Sequence, residues 1–139
     1  MRGAFSLTAA LVLACAAQSP ISSVAQSITL AHKRIEYAVI TPGRATAVEL
    51  IHAKLSGVEV WVVADHESET LMPLRVAGVN VLIAKVRQEF LRIDEKMVLA
   101  GGKMLTAKAD VSRYGTAFAD LLVSAKRTEM SRHLRRAQK

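Results

Sequence analysis

The stretch that decides the fold runs from Val86 to Gly102 and reads VRQEFLRIDEKMVLAGG. Phe90–Ile93 and Met97–Ala100 are short, largely apolar runs, and Asp94-Glu95-Lys96 between them has the composition of a turn, which predicts a β-hairpin. Gly101-Gly102 then breaks the second arm. Upstream, VNVLI (Val79–Ile83) and VEVWVV (Val58–Val63) read as buried strands, the latter ended by the acidic turn Asp65-His66-Glu67. IEYAVI (Ile35–Ile40) is a first strand, stopped by Thr41-Pro42-Gly43.

Helices fill the spaces between these strands. Ala47, Val48, Ile51 and Leu55 recur at helical spacing across Ala45–Leu55, with Gly57 as the stop. Thr41 is expected to cap this helix, with Pro42 at its first position, where a missing N–H costs least. A short helix is expected from Leu71 to Ala77, ended by Gly78. Ala117–Val123 fits either a strand or a helix. The segment from Lys126 to Lys139 holds six basic residues against Glu129 alone and reads as a basic C-terminal helix. Strands alternating with helices predict an α/β layered fold, a mostly parallel or mixed sheet flanked by helices.

The 139 residues are 51% hydrophobic and 22% charged, too apolar for a disordered tail. Aromatics make up 4%, so the core must be aliphatic. A net charge of +7 favours phosphate-rich partners, nucleic acid or anionic lipid. Cys15 is the only cysteine, which excludes an intrachain disulfide and a cysteine-based zinc cluster. His32, His52, His66 and His133 do not fall at metal-ligand spacing, so no metal and no cofactor is expected.

Residues 1–25 differ from the rest. Arg2 precedes an uncharged, alanine-rich apolar run, and small residues follow up to Ala25, the layout of a secretory signal peptide. The run is too short to span a bilayer comfortably. Cleavage leaves a domain over 26–139 and places the protein in the periplasm or outside the cell. Acylation at Cys15 is the less favoured route, because Leu13 is bulky for a lipoprotein site.

The order strand, helix, AKLSGVEVWVVAD (Ala53–Asp65), AGVNVLIAK (Ala77–Lys85) and VRQEFLRIDEKMVLAGG resembles the phospholipase D superfamily. Within it, the likeness is to the small secreted bacterial endonucleases with one catalytic motif per chain. That family carries His-x-Lys-x-x-x-x-Asp followed by a Gly-Ser-x-Asn turn. Counting from Asp94, Arg87 stands at the histidine position and Glu89 at the lysine position. In the turn, Gly101, Gly102 and Met104 stand for Gly, Ser and Asn. Asp94 and Gly101 alone keep the family identity. The family's usual additional N-terminal strand and helix are missing before Ile35, so the fold is expected to be shortened there.

The resemblance implies metal-independent phosphodiester hydrolysis through a phosphohistidine, in a homodimer acting on nucleic acid or phospholipid. Lysine and asparagine would hold the phosphoryl oxygens, and aspartate would orient a histidine. The residues present are poorly suited to this. Arg87 stays protonated and cannot attack phosphorus, although it can bind phosphate bidentately. Glu89 repels a phosphodiester where attraction is required. Met104 donates no hydrogen bond. The catalytic positions Arg87, Glu89 and Asp94 are therefore read as degenerate, and the phosphodiesterase as weakly active or inactive. Glu89 is expected to pair with Arg87 on one strand face.

The alternative is a non-catalytic exported basic α/β protein that binds nucleic acid, an anionic envelope or a protein. In that reading Arg87, Glu89 and Asp94 form a surface ion network. Two decoys carry bland readings. His52-Ala53-Lys54 with Glu59 straddles a helix end, and Asp65-His66-Glu67 reads as an acidic turn before it reads as an acid–base cluster.

Overall fold

A computed structural model describes residues 23–138. The signal peptide expected over residues 1–25 falls outside these, as does Cys15, except that Ser23–Ala25 begin a helix. The elements are α1 (Ser23–Ile28), β1 (Arg34–Val39), α2 (Arg44–Leu55), β2 (Glu59–Ala64), α3 (Leu71–Val76) and β3 (Asn80–Ile83). They continue with β4 (Phe90–Ile93), β5 (Met97–Ala100), β6 (Lys103–Leu105) and α4 (Lys108–Ala137).

The six strands form one sheet in the order β3-β2-β1-β4-β5-β6. It is mixed for a simple reason. Helical crossovers link β1 to β2 and β2 to β3, which makes those pairs parallel. Tight turns link β4 to β5 and β5 to β6, which makes those antiparallel, and β4 runs antiparallel to β1.

Both faces of the sheet are covered, so the central strands are apolar on both sides. Ile35, Tyr37 and Val39 of β1 join Val60, Val62, Leu91 and Ile93 beneath α1, α2 and α3. Ala38, Val63, Phe90 and Val98 face the other way, onto Val111, Tyr114 and Phe118 of α4. Phe90 meets Tyr114 at a centroid distance of 4.9 Å and Phe118 edge-on at 6.2 Å. One charged pair lies inside this second layer. Glu36 is buried and bonded to the Arg92 guanidinium, whose Nε donates to the Val111 carbonyl at 3.0 Å. Gly115 makes the room: a Cβ there would lie 2.7 Å from the Arg92 guanidinium carbon.

The expected hairpin is present. Asp94 and Glu95 at its tip have φ of 52° and 58°, consecutive left-handed residues that match the twist of the flanking strands. Gly101 and Gly102 repeat the device with φ of 58° and 74° and open a third strand, β6, that the sequence did not suggest. Ala117–Val123 is helical, inside the 30-residue α4. The expected cap is corrected: α2 starts at Arg44 with Gly43 as N-cap, and no side chain caps it. Thr41 is turned instead toward His66, and the Pro42 carbonyl accepts a hydrogen bond from Thr70 Oγ1 at 2.9 Å, so both belong to the preceding loop.

Candidate functional site

The register assembles one end of the sheet. Val39 pairs with Ala64, Ala38 with Phe90, and Phe90 with Ala100. The chain leaving β1 and β2, the chain entering β4 and the glycine turn after β5 therefore meet there. Glu89 stands at the centre, and its Oε2 accepts the Ile40 backbone N–H at 2.9 Å. Beside it lies a cleft of about 220 Å³ bordered by Tyr37, Leu91, Leu99, Gly101 and Gly102. Burial, and secondarily the Glu89 charge, push the Tyr37 hydroxyl up to about 12, so it keeps its proton. The cleft thus carries a carboxylate and a neutral phenol on an apolar floor.

Arg87 does not join this cleft. It lies in a bend before β4, exposed, and borders a groove on the α4 side with Lys85, Gln88 and Tyr114. Gln88 donates to the Tyr114 hydroxyl at 3.0 Å, which fixes that face. The bend breaks the alternation that would have put Arg87 and Glu89 on one side. Among the described residues the expected Arg87–Glu89 pair is not formed, and neither is the expected ion network with Asp94.

Asp94 lies at the opposite end of β4, roughly 16 Å from Glu89 at the usual strand rise. Its Oδ1 accepts the N–H groups of Lys33 and Arg34 at 2.8 and 2.9 Å, and its Oδ2 accepts that of His32 at 2.9 Å. Burial favours the neutral acid, but the Arg34, His32 and Lys33 N–H groups outweigh it and hold the carboxyl below its ordinary value. Asp94 clamps the loop before β1 and does not face the cleft. Met104 is on edge strand β6, opposite Leu99, and does not border the cleft. Of the motif positions, the fold brings together Glu89, Gly101 and Gly102 and sets apart Arg87, Asp94 and Met104.

A second group lies at the same end, in the segment whose composition reads first as an acidic turn. His66 follows Asp65 out of β2, with Nε2 at 3.3 Å from Thr41 Oγ1 and Nδ1 at 3.4 Å from Asp65 Oδ2. The other Asp65 oxygen accepts the Val86 N–H at 2.9 Å, and this bond, followed by His66, holds Asp65 below the ordinary carboxylate range. Two signals pointed here: a polar Asp-His directly after a buried strand, and a Thr-Pro-Gly after its parallel neighbour. The strand ends of parallel sheets are where ligands gather. His52 is exposed near the end of α2, while Glu59 starts β2 and binds Arg34 and Trp61 at the far end of the sheet. No group of three His, Cys, Asp or Glu among the described residues could hold a metal.

No family model matches this chain, and no curated protein matches it by sequence. Solved structures do. NucT from Helicobacter pylori aligns with a TM-score of 0.67 and 13% identity over 77% of this chain and 89% of its own. Nuc from Salmonella typhimurium, titled a phospholipase D family member, aligns with a TM-score of 0.62 and 12% identity over 73% and 85%. The shared property is the fold, and it is the phospholipase D-like layered α/β fold.

Proposed function

We propose that this chain is a phospholipase D-type phosphodiesterase scaffold of the secreted endonuclease branch whose hydrolytic chemistry is lost or reduced to a trace. The observation that carries the reading is the place of Glu89. A carboxylate lies beside the glycine turn where the resembling family keeps a cation for the phosphoryl oxygens. Glu89 is exposed, so at about 4 Å two like charges oppose each other by on the order of 1 kcal/mol, roughly five- to tenfold in binding. Arg87 is on the other face and has no lone pair with which to attack phosphorus. No covalent route remains at the motif itself.

Phosphate contact is left to the cationic surface, Arg87 and Lys85 included, with nucleic acid as the partner class. Export through residues 1–25 and homodimerisation in the manner of that branch belong to the same reading. Incubating the protein with plasmid DNA and with bis-nitrophenyl phosphate in a chelator tests it: rates at the buffer background support it, and robust cleavage refutes it.

The Thr41–His66–Asp65 arrangement supports a narrower second reading. An imidazole oriented by a carboxylate and within reach of a hydroxyl is the outline of a general base. Trace hydrolysis, where measured, then runs through His66. It should vanish in His66→Ala and persist in Arg87→Ala.

A further inference from the structure

The last helix outruns the fold it belongs to. Its buried residues end at Ala125, and every residue from Lys126 to Gln138 is exposed. At about 1.5 Å per residue the uncovered part extends roughly 18 Å. It is not uniformly polar. At about 100° per residue, Val123, Met130 and Leu134 fall within about 40° of one another, opposite Tyr114, Phe118 and Ala125, which face the sheet. They are 50%, 66% and 60% exposed. Lys126 and Arg127 border this stripe on its two sides.

The inner side is occupied by charges that face the protein. Glu67 is held below the ordinary carboxylate range first by its hydrogen bond to Arg75 and, more weakly, by Arg132. Glu129 in turn acts on Arg75. With Arg132 and Glu129 turned toward α3, the Val123–Met130–Leu134 stripe points outward.

We propose that the outer face of α4 lies on an anionic lipid bilayer. Val123, Met130 and Leu134 enter the boundary between headgroups and acyl chains, and Lys126 and Arg127 reach up to the lipid phosphates. Charge selects this occupant. The segment 126–139 bears six cations and one carboxylate, so a second copy laid on the same stripe meets like charge. Duplex nucleic acid would use the cations but leave the three apolar side chains without a contact, and the segment has no aromatic residue to stack on bases. The proposal is independent of the Glu89 cleft.

The test is sedimentation of the full chain with vesicles of phosphatidylcholine, with and without phosphatidylglycerol. Binding should require the anionic lipid, fall more than tenfold in Met130→Ser/Leu134→Ser, and fall roughly fivefold for each of Lys126→Ser and Arg127→Ser. An unchanged thermal transition by circular dichroism shows that the variants keep the fold. A polarity-sensitive dye on Met130→Cys, in a Cys15→Ser background, should shift to the blue on anionic vesicles, and one on Arg132→Cys should not. Equal vesicle binding by the apolar double variant overturns the proposal, and this includes binding that residues 1–25 confer on every variant alike. So does a preference for duplex DNA that the same double variant leaves intact.

Discussion

Glu89 and Asp94 bracket the same strand, and both carboxylates accept backbone N–H groups, yet the two ends of β4 do different work. Asp94 gathers the N–H groups of His32 and Lys33 in the loop before β1 and of Arg34 at its start, and its own N–H returns a bond to the Arg34 carbonyl at 2.8 Å. Glu89 takes one N–H, from Ile40, and borders an open cleft. In the motif that the chain resembles, these positions are written as one signature. Here the two positions separate: Asp94 does architectural work, and Glu89 borders the cleft. A motif aspartate is therefore poor evidence of catalysis when the strand between it and the reacting groups is fully extended.

Substitutions along β4 should grade this contrast. The largest loss is expected from Arg92→Ala, between the two ends, because it strips buried Glu36 of its closer partner and leaves only the Arg34 guanidinium at 3.4 Å. About 3–5 kcal/mol of stability should go, read from urea unfolding. Gly115→Ala should cost less, because the atoms its methyl meets are the movable end of that same side chain. Asp94→Ala comes next, at about 2–3 kcal/mol, for the loss of charge-assisted bonds to three backbone donors. If Asp94→Ala unfolds at the wild-type urea concentration, the architectural role assigned to it is wrong.

The same residue carries a pH signature. The folded Asp94 carboxyl titrates below its unfolded counterpart, so on acidification the unfolded chain takes up the proton first. Its stabilisation is complete above the unfolded value of about 3.9 and is lost as pH falls through the lower folded value. Asp94→Asn should flatten that acid limb in thermal melts. Smaller still, Glu89→Gln and His66→Ala should each change stability by less than about 0.5 kcal/mol. Glu89→Gln should nonetheless tighten inorganic phosphate binding at low salt by roughly tenfold, the direction expected when a repelling charge is removed. A loss of phosphate affinity would place Glu89 among the binding groups instead.

How much of this could be read from the chain follows from the range of each interaction. The Phe90–Ala100 hairpin depends on local turn chemistry and period-two apolar runs, and those are written in consecutive residues. The α4 helix was ambiguous across Ala117–Val123 because a short apolar run suits either period; its contacts with Phe90 and Val98, distant in sequence, decide it. The Thr41 cap failed for a related reason. A hydroxyl good at capping α2 found His66, a partner 25 positions away. The site was legible in identity and not in grouping. Arg87, Glu89 and Asp94 follow from counting, but the bend at Arg87–Gln88, where Gln88 bonds Tyr114 across the layer, sends them to different places.

The most direct test of the central claim is metal-independent hydrolysis of bis-nitrophenyl phosphate by the wild-type protein beside Glu89→Lys and Arg87→His/Glu89→Lys. We predict wild-type rates at background, tighter phosphate binding in Glu89→Lys, and phosphate-dependent protection from thermal unfolding in both variants. Wild-type turnover well above background that Glu89→Gln abolishes would contradict the account, because it would show the carboxylate at the motif position taking part in the reaction it is held to have lost.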